Sequence, residues 1–141
     1  MPKSRRDPSV RRSDCPIACA LDLLGDRWTL LVLRDLFKGE SRYGELQAAA
    51  ERIPTNILAD RLDRLEGAGL VAKVQYRANP PRFSYALTPK GRDTKLILAS
   101  LALWGLRHVR GAAPGGAVIA ALSSMDDLPP RHREFPKRPE L

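Results

Sequence analysis

Apolar residues recur along this chain with two different periods, and the change of period divides it into elements. They return every three or four positions through residues 16–24, 26–37, 42–50, 53–70 and 88–110, and every second position through 71–78 and 82–88. The first period predicts helices and the second a two-stranded hairpin before the last helix. Pro16 stands at a first-turn position, where its missing N–H costs nothing, with Asp14 or Cys15 near the cap and Gly25 at the exit. Asp26 is expected to cap the second helix, with Trp28, Leu31, Val32, Leu33 and Leu36 inward and Arg27, Arg34, Asp35 and Lys38 outward. Ser41 is expected to cap the third, which turns Tyr43, Leu46 and a run of alanines inward.

The rest of the chain is organised around residues 53–70. Leu58, Leu62 and Leu65 share one helical face, while Asn56, Ala59, Asp60 and Asp63 project the opposite way. Thr55 is the residue chemically able to cap this helix, since Ile53 and Pro54 offer no side-chain acceptor. Two helices joined by a short turn, the second with a polar outer face, match a helix-turn-helix, and equally a fragment of any helical bundle. In the hairpin, Ala72, Val74 and Tyr76 alternate with Lys73, Gln75 and Arg77, and Phe83, Tyr85 and Leu87 with Arg82, Ser84 and Ala86. Asn79-Pro80-Pro81 cannot continue a strand and forms the tip. A rigid-tipped hairpin flanked by Arg77 and Arg82, directly after a polar-faced helix, reads as a wing.

Thr88 and Pro89 begin the last helix, expected to run unbroken to Val109 or Arg110. Between Leu96 and Leu106 only Ser100 is polar, so nearly every side is apolar and requires cover. A winged helix of this size covers one side; a second subunit, or residues 112–141 folded back, must cover the other. The expected fold class is therefore mainly α with a small β-hairpin: a winged helix-turn-helix with N- and C-terminal dimerisation helices. Residues 1–14 are expected to form a flexible basic arm, 15–110 the domain, and 111–141 a Pro/Gly-rich tail, extended or disordered apart from a turn or two of helix within 117–128.

Composition narrows the partner. The 141 residues, 43% of them apolar, suit one domain with tails, and the net charge of +8 favours a polyanion, because basic groups that meet phosphates release condensed counterions. Residues 1–14 hold five basic groups against two acidic, and the central block holds fifteen against ten. No apolar run approaches the roughly 20 residues of a membrane span, and no signal-peptide core opens the chain, so a cytoplasmic protein is expected. The two histidines, His108 and His132, and the two cysteines, Cys15 and Cys19, build neither a nucleophile–base pair nor a zinc cluster, so no enzyme, metal or cofactor is expected.

From Cys15 to about Val109 the chain resembles the HxlR-type winged-helix transcriptional regulators of bacteria, relatives of the MarR-like regulators. The landmarks are C-P-I, L-G-D-R-W-T-L-L-V-L-R-D-L, R-Y-G-E-L, I-P-T-N-I-L-A-D-R-L-D-R-L-E-G-A-G-L-V, P-P-R-F-S-Y-A-L-T-P-K-G and the pair Trp104-Gly105. The resemblance implies a homodimer that binds operator double-stranded DNA and usually represses a neighbouring gene, with Ile17, Leu96, Leu103 and Trp104 as subunit contacts. It departs from the family pattern at Ile53-Pro54-Thr55, where Ser followed by Pro is common, and in Asp60 and Asp63, which repel phosphates.

A helix in the major groove brings its N-terminal half nearest the bases, so Thr55, Asn56, Ala59 and Asp60 are the base-reading candidates. Asn56 leads them, because its amide offers adenine both a donor and an acceptor. Asp60 either pairs with Arg64 one turn on or accepts from a cytosine amine. Arg42, Arg61 and Arg64 are candidates for phosphate contacts or surface ion pairs, Arg61 with an equal claim to a structural place beside the leucines. Arg77, Asn79 and Arg82 are expected to reach backbone or minor groove. Cys15, where many members of the resembled family carry a cysteine, is either a redox or electrophile sensor or a small core hydrophobe. Trp28 and Trp104 either line an effector pocket or fill the core. The alternative function is a protein-interaction module that docks through the apolar last helix without specific DNA binding.

Overall fold

The computed structural model describes residues 13–113; the greater part of the basic arm and of the C-terminal tail, with the helical turn expected at 117–128, lies outside them. Two compact units divide the chain, one ending at Gly91 and one beginning at Arg92.

The first unit opens with α1 (Pro16–Leu24), whose first turn is approached through a bond from the Cys15 amide to Ser13 Oγ. The second helix, α2 (Thr29–Phe37), starts three residues later than its apolar pattern suggests. Asp26 nevertheless does the capping: its Oδ1 accepts from the Trp28 and Thr29 amides at 2.9 and 3.0 Å, and its Oδ2 accepts from the Thr29 hydroxyl. Helix α3 (Tyr43–Gln47) is shorter than expected, and Ala48 and Ala50 lie exposed beyond its end. Ser41 does not cap it; the Glu45 carboxylate reaches back to accept from the Ser41 and Arg42 amides, and the Ser41 carbonyl is occupied by the Tyr85 amide at 2.7 Å.

Helix α4 (Thr55–Gly67) follows a turn in which Arg52 takes a left-handed backbone (φ 52°). Pro54 occupies the capping position without a side-chain bond and Thr55 is already helical, so the expected Thr55 cap does not form. The exit is a Schellman turn: Gly69 is left-handed (φ 78°), the Leu70 amide bonds the Leu65 carbonyl and the Gly69 amide that of Glu66. The next three carbonyls are all taken by residues beyond the hairpin. Lys90 Nζ donates to Ala68, the Thr88 hydroxyl to Gly69 and the Thr88 amide to Leu70.

Strands β1 (Val71–Ala78) and β2 (Pro81–Leu87) pair antiparallel about Asn79-Pro80, and residues 41–42 join the free edge of β2 through an Arg42–Ser84 bridge. The register places Val71, Lys73 and Gln75 opposite Leu87, Tyr85 and Phe83, and Ala72 and Val74 opposite Ala86 and Ser84. Directly paired residues share a face, so the two apolar rows read from the sequence lie on opposite faces of the ribbon. Beyond Val71 every residue of β1 is exposed.

The core of this unit is a cluster of leucines and valines. Leu33 of α2, Leu46 of α3, Leu58, Leu62 and Leu65 of α4, and Leu70 and Val71 at the start of the hairpin are all at most 2% exposed. Each such side chain contributes about 1.5–3 kcal/mol on leaving water. Asp35, expected outside, is buried; Arg34 lies over it (Nε to Oδ1 2.9 Å) and grips Glu51 with two 2.7 Å bonds, tying α2 to the turn before α4.

The expected single last helix is two, α5 (Pro89–Arg92) and α6 (Lys95–His108), with a turn at 93–94. The Gly91 amide bonds the Thr88 hydroxyl, and a Cβ built at Gly91 would lie 2.0 Å from the Leu70 carbonyl oxygen. The first turn is thus fastened to the end of α4. In the second unit, α6 buries Ala99, while Leu96, Ile97, Leu101 and Trp104 are exposed and the Trp104 ring lies 5.2 Å from that of His108. Among the described residues no helix is long and apolar enough to cross a membrane.

Candidate nucleic-acid interface

Helix α4 is held by its inner face, and that frees its outer one. Leu58, Leu62 and Leu65 are sunk among α2, α3 and β1, so Thr55, Asn56, Ala59, Asp60, Asp63 and Arg64 are presented outward. At its N-terminus the Tyr43 hydroxyl donates to the Thr55 carbonyl at 2.7 Å, which fixes the angle between α3 and α4. Asn56 forms no side-chain hydrogen bond among the described residues, and its amide is open to an external partner. These six residues form one surface.

Arg61 is placed apart from them. Its side chain is 18% exposed, its Nε donates to Asp26 Oδ1 at 2.9 Å and its NH1 to Asp60 Oδ2. Of the two readings open for Arg61, this geometry supports the structural one. Asp60 pairs with Arg61 rather than with Arg64, because Arg61 is already anchored by Asp26 and lies within its reach. Burial pushes the Asp26 carboxyl up, but the bonds from Thr29, Arg61 and the Trp28 and Thr29 amides outweigh it and hold the group well below the usual carboxylate range. Asp26 therefore stays charged and joins the start of α2 to the middle of α4. Sequence spacing could not show this bond, which spans 35 positions.

The wing supplies the basic part of the surface. Arg77 and Arg82 are direct register partners beside the Asn79-Pro80 tip, all four residues exposed. Like charges placed opposite each other on a ribbon repel, a cost that a bound anion would reverse. Between Gln75 and Arg77 the register slips by one residue, leaving Tyr76 without a partner on β2. The Arg42 guanidinium lies 4.5 Å over the Tyr76 ring, and the Lys73 ammonium 4.4 Å over that of Phe83. The structure exposes both rings as supports for cations, and the signal that pointed to this was the density of Lys and Arg beside them. A groove of about 410 Å³ opens here, lined by Arg42, Tyr43, Gly44, Glu45, Tyr76, Arg82 and Phe83.

Of the proposed subunit contacts, Ile17 (70%) and Trp104 (61%) are the most exposed, Leu96 is exposed and Leu103 half-buried. Trp104 is therefore not core. Cys15 is exposed and Cys19 half-buried, its thiol donating to the Ser13 carbonyl at 3.3 Å. No cluster of three or more metal-ligating side chains occurs among the described residues.

The comparisons agree with this geometry. The model of the HxlR-like helix-turn-helix matches residues 23–112. An uncharacterised HTH-type transcriptional regulator of Synechocystis is 38% identical over 72% of this chain and 76% of its own length. One from Mycobacterium tuberculosis is 44% identical over 70% of this chain, which spans only 62% of that relative. Among solved structures, PA1607, a candidate transcription factor, superposes with a TM-score of 0.66 at 33% identity, covering 74% of this chain and 72% of its own. The redox regulator HypR in its oxidised form superposes with a TM-score of 0.61 at 29% identity, covering 67% and 97%. None of these relatives supports an interaction module lacking DNA binding. A buried leucine stripe behind a polar helix face, an arginine-tipped wing beside it and a family match over most of the described residues lead to one assignment: the chain belongs to the HxlR-like helix-turn-helix family of DNA-binding transcriptional regulators.

Proposed function

We propose that the protein is a homodimeric cytoplasmic repressor that lays α4 in the major groove of an operator near its own gene. Thr55, Asn56, Ala59 and Asp60 face the bases, Arg42, Arg64, Arg77, Asn79 and Arg82 take phosphates or the minor groove, and Arg61 acts behind them as a brace. The observation that carries this reading is the uncommitted Asn56 amide on the outer face of a helix whose inner leucines are buried. An adenine accepts and donates to such an amide in a bidentate pair. The exposed apolar residues of α1 (Ile17, Leu21) and of α6 (Leu96, Ile97, Leu101, Trp104) supply the surface through which two copies pair. The test is a gel shift on the DNA upstream of the gene, titrated with salt and competed with random duplex. Preference for the upstream site, with log affinity falling linearly in log salt, is expected. Equal affinity for both duplexes would overturn the reading.

Control by an oxidant or electrophile at Cys15 is the second element of the proposal, favoured by the exposure of that thiol near the start of α1 and by the likeness to a redox regulator. Cys19 lies one turn away on the same helix, where a bond between the two would distort the turn. Unchanged DNA affinity after electrophile treatment would retire this element and leave the first intact.

A further inference from the structure

The slip in the wing register has a chemical result. A regular ladder would pair residue 76 with β2; the bulge removes Tyr76 from it, and its ring lies instead beneath the Arg42 guanidinium at 4.5 Å. Arg42 forms an isolated bridge with Ser84 at the free edge of β2, so its backbone is held there and the ring holds its head group. Among the described residues the only carboxylate lining the groove is that of Glu45, and it is occupied: it accepts from the Ser41 and Arg42 amides, which hold it below its ordinary pKa. No salt bridge engages Arg42 or Arg82 among the described residues. Two arginines without a salt bridge among the described residues thus share a groove with three aromatic rings, those of Tyr43, Tyr76 and Phe83.

We propose that this groove seats one phosphodiester of the bound duplex between Arg42 and Arg82, and that Tyr76 is a positioning residue that holds Arg42 ready for it. The inference rests on the DNA-binding reading above and adds a residue to it. A guanidinium held over a ring can still turn N–H groups toward phosphate oxygens and loses less side-chain freedom when the anion arrives. Tyr76 needs no contact with the nucleic acid. Because a phosphate is the same in every sequence, the effect is independent of the operator.

The experiment is a double-mutant cycle on the full chain with a random-sequence duplex, measured over a salt titration, with thermal melts to establish that each variant folds. Arg42→Ala is expected to lower the salt slope by about 1, the signature of one lost phosphate contact. Tyr76→Leu is expected to weaken binding about threefold with Arg42 present, the size of an exposed cation–π contact, and to have no effect in the Arg42→Ala background. Tyr76→Phe, which keeps the ring, restores the parent affinity. Additive losses, or Tyr76→Phe as weak as Tyr76→Leu, would overturn the proposal. If the parent binds random duplex but shows no preference for its upstream DNA, the sequence-specific reading fails while the cycle still decides the seat; if it binds no duplex at all, both fail.

Discussion

Helices α4 and α6 are both rich in leucine, yet they meet water in opposite ways. In α4 the leucines recur on one face and are at most 1% exposed, and the other face is left to exposed residues, most of them polar, Asp60 alone among them paired to the Arg61 brace. In α6 apolar residues occupy nearly every side, a single alanine is buried, and Leu96, Ile97, Leu101 and Trp104 meet solvent. A helix with one apolar stripe can be satisfied by its own chain, whereas one apolar all round requires a second surface. The first arrangement frees a face for recognition. The second leaves an apolar face that, in the proposed dimer, another copy would cover.

Four experiments break or sharpen this contrast. The largest effect is expected at Leu62→Ala, which opens a cavity behind α4 and should cost about 2–5 kcal/mol in denaturant unfolding; Leu101→Ala, at an exposed position on α6, should change the stability of the separated subunit by under about 0.5 kcal/mol. Next, Leu101→Glu should weaken self-association at least about a hundredfold in sedimentation equilibrium, since a carboxylate would be buried unpaired between copies. A variant that associates as the parent does would remove this face of α6 from the interface. On the other side of the comparison, Asn56→Ala should reduce operator affinity by about 1–3 kcal/mol and leave random-duplex affinity unchanged.

The smallest effect is one of pH. Hydrogen bonds from Arg34 hold the Glu51 carboxyl at about 2, against 4.5 ordinarily. A depressed carboxyl contributes stability that is complete above its unfolded value, so this contribution should fade as pH falls from about 4.5 to about 2. Asp35 works in the opposite sense, because burial raises its pKa despite Arg34. Glu51 is partly exposed, so its share is under about 1 kcal/mol after solvent screening. Glu51→Gln should accordingly flatten the acid limb of a melting-temperature profile slightly, and an unchanged limb would show that the pair contributes nothing.

What could be read in advance depended on local rules. The bounds of α1, the placing of the hairpin and the polar face of α4 follow from proline, glycine and periodicity, all of which act within a few residues. The misreadings concern partners distant in sequence. Asp35 looked like a surface acid because nothing near it announces that Arg34 and the turn at Glu51 close over it. Arg61 was balanced between two roles until Asp26 appeared beside it. The apolar rows of the hairpin were each legible, but which faces they share depends on pairing parity, and the bulge that takes Tyr76 out of the ladder leaves no mark in the alternation. The break between α5 and α6 is invisible to periodicity, since Pro89 to Arg92 continue the helical pattern while bonding to the exit of α4.

Gly91 shows what that last connection demands. Its missing side chain lets the backbone after the wing press against the Leu70 carbonyl, 2.0 Å from where any β-carbon would stand, with a Leu87 methyl 3.2 Å from the same point. Even alanine there would force apart the two ends of the hairpin. The pitch of the ribbon relative to the rod it accompanies thus depends on a residue whose side chain is a hydrogen atom, and any larger residue there would swing the one against the other.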